Sequence, residues 1–275
     1  MQRNAFDPAW VRRNLVLTLI ISIVVANSFI IFPDDESRPF FSNWTINVAA
    51  AVALGMSLLV TWRQKLDGLH GRTYAAFAAG LALWFVAEIL WTYYEMGAGI
   101  DPFPSLADAF WLAGYAPFAY HLIATYRFFG QAAKPHTIII VSIAVALFVG
   151  HTSILVFTAS SPVTSENVVA TAISIAYVLL DAVLIVPAII VLASLRHGKL
   201  TFTPWFLLSS ALLITAAADS GFAYFDAADM SEEIWVWNIL YTASYITMAA
   251  TLFWHNRFFT YHEKKVKKIW QEENR

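Results

Sequence analysis

Eight apolar segments of membrane-spanning length punctuate this 275-residue chain, and they leave few folds open. A helix needs about 20 apolar residues to cross the hydrocarbon core. The segments are 14–32, 44–62, 73–97, 105–128, 136–158, 167–195, 203–226 and 232–258. Inside lipid every backbone N–H and C=O must find a partner within the chain, so only helix bundles and closed barrels are stable there. Barrel strands are about 10 residues long, and these runs are too long for them. The expected fold class is therefore all-α: a polytopic membrane helix bundle of eight transmembrane helices, multi-pass in the cell membrane. Only 13% of the residues are charged, against roughly 25% in a soluble domain.

The bases give the bundle an orientation. With the N-terminus in the cytoplasm, 16 of the 17 Lys and Arg residues fall on the cytoplasmic side, and Arg38 alone falls outside. Positive charge in short loops sets orientation during insertion, so the reading is N-in and C-in. The outer loops 33–43, 97–104, 159–166 and 227–231 carry acids, Pro and Gly; the inner loops 63–72, 129–135 and 196–202 carry the bases. The run Asn14–Phe32 is too long for the apolar core of a signal peptide and reads as a retained first span. Asn43-Trp44-Thr45 is a sequon on the outer side. Residues 1–260 form a single transmembrane domain, and 261–275 a charged cytoplasmic helical tail. In the tail, His262, Val266, Ile269 and Trp270 sit at the spacing of a coiled-coil seam, and a basic membrane-surface anchor is the other reading. Membrane lipids are the expected partners, with a cytoplasmic signalling domain or protein reached through the tail; no nucleic acid is expected.

The chain partly matches itself at a shift of about 130 residues. Ala87-Glu88 with Tyr93-Tyr94 matches Ala218-Asp219 with Tyr224-Phe225, Asp108 matches Asn238, Tyr115 matches Tyr245, and Arg127-Phe128-Phe129 matches Arg257-Phe258-Phe259. An even number of spans per half makes the halves parallel, related by a pseudo-twofold axis along the membrane normal. The fold is thus a 4+4 parallel pseudo-repeat, with halves at about 1–132 and 133–260.

A carboxylate at mid-bilayer costs several kcal/mol unless paired or hydrated, so each one marks a candidate site. Glu88 and Asp219 lie about 15 and 16 residues from the inner ends of the third and seventh spans, which puts both about 22–24 Å above the inner end. Trp84, Glu88, Trp91 and Glu95 share one helix face, as do Asp108, Trp111 and Tyr115, and Asp219, Phe222 and Asp226. Those faces point to an outward-opening polar cavity with an aromatic lining. The candidate ligand-binding residues are Glu88, Trp91, Tyr93, Asp108, Trp111, Tyr115, Asp181, Asp219, Tyr224, Asn238 and Tyr241. The lining suits a small amphiphile or an extended conjugated molecule. The plainer alternative is that each acid bonds a Tyr or Ser on a neighbouring helix and glues the bundle. Asp181, ahead of Pro187 in the sixth span, joins the cavity from below or marks a hinge.

Other chemistries are set aside on composition. There is no cysteine, hence no disulfide, thiolate nucleophile or Cys-ligated metal. No Lys lies within a span, and a retinal Schiff base needs one. His121 and His151 differ in depth by roughly 10 Å or more, too far to share one haem. His121 and His255 lie closer in depth, but nothing else marks a haem site. No metal site is expected, since no HExxH, paired-His or clustered-ligand spacing occurs. No cofactor is expected.

The run Pro104-Ser105-Leu106-Ala107-Asp108-Ala109-Phe110-Trp111-Leu112-Ala113-Gly114-Tyr115 resembles one found in multi-span sensory modules of bacterial and archaeal signalling proteins. Those modules precede GGDEF, EAL or histidine-kinase domains. Ala218–Tyr224 looks like their second signature. The resemblance covers spans three to eight and implies a prokaryotic sensor, either a stand-alone relative or a sensor portion with the charged tail as the stub of a signalling helix. A fainter similarity runs to the YhhN-like lysoplasmalogenases, which also have eight spans. It implies that Glu88 and Asp219 work as a catalytic pair on a vinyl-ether lipid, with Glu at 88 where that family has Asp and His121 displaced by one residue. The leading expectation is a receptor or sensor module for a small apolar or amphiphilic ligand, with helix shifts passed through the eighth span. The rival is a lipid hydrolase in which one carboxyl acts as general acid and the other as base. A transporter stands third.

Overall fold

The computed structural model describes residues 8–66, 68–129, 134–160, 162–165, 167–194, 202–230 and 233–273; side chains are described for all of these except 8–12, 68–70, 128–129, 194, 202 and 258–273. Eight α-helices follow one another: α1 (Pro8–Ile31), α2 (Arg38–Gln64), α3 (Gly68–Thr92), α4 (Leu106–Phe129), α5 (Pro135–Ala159), α6 (Val168–Ser194), α7 (Phe202–Ala227) and α8 (Trp235–Glu273). No strand occurs among the described residues. Each helix overlays one of the eight apolar segments, with ends displaced by at most six residues except at the end of α8, which runs on to Glu273.

Six helices, α1, α2, α3, α5, α6 and α7, are long and apolar enough to cross a membrane. The chain is thus a multi-pass membrane protein of all-helical architecture. Helices α4 and α8 fall outside that set, and they carry Asp108, Tyr115, His121, Asn238, Tyr241, Tyr245 and His255. Their lower hydropathy reflects polar side chains turned inward: Asp108, Tyr115, His121, Tyr245 and His255 are all buried.

Burial is inverted relative to a soluble protein. Large apolar side chains face out, among them Ile20, Ile21 and Val24 on α1 and Ile139, Ile140 and Leu147 on α5. Ser, Thr, Asn, Asp and Glu sit inside. The main core joins α2, α3, α4, α6, α7 and α8 around Phe77, Phe118, Leu184, Leu212, Met248 and Leu252. Helix α5 packs on α6 and α7 through Val145 and Val149. Helix α1 leans on α8 and α2, with Leu15 against Leu207 and Trp254 and Asn27 donating to the Ile239 carbonyl at 3.2 Å.

Each helix packs on the next except α4 on α5, and the α4–α6 and α2–α8 contacts close a ring of α2, α3, α4, α6, α7 and α8. The α3–α4 interface is tight because two glycines allow it. A Cβ on Gly114 would stand 2.4 Å from the Trp84 ring, and one on Gly80 would stand 2.7 Å from Phe118. Only a residue without a side chain fits there.

The two ends of the bundle differ. At one end Arg63 donates to Asn256 Oδ1 at 2.9 Å, and the Gln64 amide meets His255 Nε2 at 2.7 Å. This end carries the basic α2–α3 connection. The opposite end gathers the starts of α2, α4 and α8. There Arg38, the one base that the charge pattern assigns to the outer side, pairs with Asp35 and lies 4.4 Å above the Trp235 ring centroid. Helix α6 runs unbroken through Pro187. Helix α8 spans 39 residues, about 58 Å at 1.5 Å per residue, roughly twice the hydrocarbon thickness. Its backbone carries 261–273 as a continuous helix. The seam residues His262, Val266, Ile269 and Trp270 lie outside the described side chains.

Candidate functional site

Helices α2, α3, α4, α6, α7 and α8 enclose a cavity of about 80 Å³ at the end opposite the basic α2–α3 connection. Eight of the residues expected at a site line it: Glu88, Trp91, Asp108, Trp111, Tyr115, Asp219, Asn238 and Tyr241. At about 10–15 Å³ per water-sized group, the space takes roughly five to eight such groups.

Each acid is held by hydroxyls from another helix. Tyr245 on α8 donates to Glu88 Oε1 at 2.7 Å. Tyr241 donates to Asp219 Oδ1 at 2.7 Å, and Tyr115 on α4 meets Asp219 Oδ2 at 3.0 Å. The same Tyr115 hydroxyl meets Asp181 Oδ1 at 2.8 Å. One hydroxyl carries one proton and cannot donate to two acceptors. Asp181 Oδ2 is buried without a donor. A second proton, on one of the two carboxyls, completes this set. Asp181 therefore stands directly behind the cavity wall, joined to it through Tyr115.

Asp108 has a double role. Its Oδ2 accepts the Ser105 N–H at 2.7 Å, while Ser105 Oγ accepts the Ala107 N–H at 3.1 Å. This reciprocal pairing is a capping box that starts α4. Asp108 Oδ1 accepts from Tyr177 of α6 at 2.9 Å. The Pro104–Asp108 run thus has a local structural reason. Asn238 donates to Ser42 Oγ at 2.8 Å, tying α8 to α2.

The aromatic wall is continuous. Trp91 and Trp111 have ring centroids 5.6 Å apart, Trp91 and Phe222 5.8 Å, and Phe103 and Phe222 5.4 Å. Trp84 sits between Tyr115 and Tyr245 at 5.7 and 6.2 Å, its indole N–H donating to the Trp111 carbonyl at 2.9 Å. Beyond Trp91 the helix widens into a π turn, Tyr93–Ala98, closed by Gly99 at φ 64°, a conformation glycine adopts without strain. Glu95 on this turn accepts from Trp91 Nε1 at 3.1 Å and from Asn43 at 2.7 Å. Asn43 is buried and committed to these contacts, so its sequon is a piece of the wall.

Not every expected residue arrives. Tyr93 and Tyr224 are largely exposed and pair with Tyr94 and Phe225 instead of lining the cavity. Asp226, grouped by spacing with Asp219, also lies outside the lining. Sequence reasoning passed over Tyr177, Ser174, Thr215, Ser244 and Tyr245, all in the wall. Two signals were available: Ser174, Tyr177 and Asp181 share one face of α6, and Tyr245 is the repeat partner of Tyr115.

The histidines occupy the other end. Tyr74 stacks on His255 at 4.3 Å and meets His121 edge-on at 5.0 Å, filling the space between them. His121 Nδ1 donates to the Thr73 carbonyl at 2.9 Å. No group of three metal-ligating side chains occurs among the described residues.

In comparisons with known proteins, no family model, no curated protein and no solved structure matches the chain.

Proposed function

We propose that this is a membrane receptor module of the sensory type, N-in and C-in, in which a small ligand occupies the cavity and helix movement passes along α8 to the tail. The observation that carries this reading is the convergence of three carboxylates, from α3, α4 and α7, with an aromatic wall on one cavity. Glue alone would need pairs and no shared space. The length of α8 beyond the spanning part supplies the outgoing helix. Asp219 has a tyrosine hydroxyl on each oxygen, an arrangement that fixes a carboxylate as a ligand contact and favours binding over the hydrolase reading.

The duplicated 4+4 plan belongs to the proposal, and the hydrogen bonds support it. Tyr115 and Tyr245 match in the repeat, as do Glu88 and Asp219. Tyr115 bonds Asp219, and Tyr245 bonds Glu88, so each half lends its tyrosine to the acid of the other. Likewise Asp108 reaches α6 and its counterpart Asn238 reaches α2. Exchanging the halves turns the Tyr115–Asp219 bond into the Tyr245–Glu88 bond. The first helix of each half departs: α1 leans on α8, while α5 leans on α7.

Native mass spectrometry of gently purified protein tests the receptor reading. A retained small molecule is expected, and filling the cavity with Ala223→Phe removes it. Wild-type protein free of any adduct, together with hydrolysis of a lysoplasmalogen that Glu88→Gln/Asp219→Asn abolishes, would replace it with the enzyme.

A further inference from the structure

The charge of the lining narrows the ligand class. Resting on the receptor reading above, we infer that the cavity takes a small organic cation, an alkylammonium group, held by Glu88, Asp108 and Asp219 and caged by Trp91, Trp111 and Phe222.

Three acids line this space and no Lys, Arg or His does, among the described residues. Glu88 accepts from the neutral hydroxyl of Tyr245, and Asp219 from those of Tyr115 and Tyr241. Asp108 is bonded by Tyr177 and a backbone N–H. The protein thus supplies dipoles and no counter-charge. Buried carboxylates of one sign take up either protons or an external cation. An anionic ligand would meet repulsion from these acids, while a cation supplies the counter-charge that the wall lacks.

The aromatic rings select among cations. Trp91 stands 5.6 Å from Trp111, tilted by 58°, and 5.8 Å from Phe222, edge-on at 72°, and all three rings line the cavity. A cation within about 6 Å of a ring centroid is attracted to the ring face, and such cages recognise alkylated ammonium groups. An alkali ion would gain nothing from these walls and would keep its water. A space of about 80 Å³ admits a group the size of tetramethylammonium.

Isothermal titration of the full chain in dodecyl maltoside tests this with three probes: tetramethylammonium chloride, tert-butanol of equal heavy-atom count, and sodium chloride at equal ionic strength. Tetramethylammonium is expected to bind at least about tenfold more tightly than tert-butanol, with no heat from sodium. Glu88→Gln and Trp91→Leu, each checked by a retained helical spectrum, should each bring the ratio towards one. Equal or tighter binding of tert-butanol overturns the cation inference and leaves the receptor reading standing. Sodium competing at equal concentration overturns it as well. Failure of all three probes, with no retained molecule in native mass spectrometry, removes both readings.

Discussion

Tyr115 joins two carboxyl groups through one hydroxyl, and that makes it the most exposed single point of the site to substitution. Replacing it with Phe leaves Asp181 without its hydroxyl and Asp219 with only Tyr241. A buried polar group left unsatisfied costs about 1–3 kcal/mol. Tyr241→Phe removes one bond from Asp219, which keeps Tyr115. Thermal unfolding in detergent should show Tyr115→Phe as the larger loss, by about 1 kcal/mol or more. Equal losses would mean that Asp181 does not depend on this hydroxyl. The acids themselves were legible in the sequence, because an ionisable side chain in an apolar run stands out on cost alone. Tyrosine carries no such flag: Tyr177 and Tyr245 are among the 11 tyrosines of the chain, and aromatic residues are common in membrane helices for other reasons.

At the scale of the element, α4 shows how a motif can serve two ends. The Ser105–Asp108 box satisfies N–H groups that lipid would leave bare, and the same Asp108 reaches Tyr177 across the bundle. Ser105→Ala removes the cap acceptor for Ala107 and leaves the cavity lining intact. The expected loss is about 1 kcal/mol in thermal unfolding, with the native-mass adduct retained; loss of the adduct would tie the cap to the ligand directly. Helix positions were readable from apolar run length to within a few residues. The π turn after α3 was not, because it depends on Glu95 being held by Asn43 from α2, a contact made only after the helices pack. The exposure of Tyr93 and Tyr224 was missed for a related reason: depth can be counted along a helix, but the direction a residue faces is set by its neighbours.

For the whole molecule, orientation is open to direct measurement. The chain has no cysteine, so a single introduced one is a clean reporter. Glu36 and Lys65 are both exposed, in the α1–α2 and α2–α3 connections. With an impermeant maleimide on intact cells, Glu36→Cys should label and Lys65→Cys should label only after permeabilisation. The opposite pattern would invert the topology and place the cavity at the cytoplasmic end. Arg38 does not spoil the charge asymmetry in energetic terms, since Asp35 and Trp235 hold it at the surface of the bundle.

The sequence by itself determined the helices and their number, since run length and backbone hydrogen bonding in lipid depend on local residues alone. It also marked the carboxylates as costly. Only the tertiary structure decided which tyrosine meets which acid, that Asp181 stands behind the wall, and that the space holds about 80 Å³. Those outcomes turn on distances between helices far apart in sequence, which glycines such as Gly114 and rings such as Trp84 set by contact.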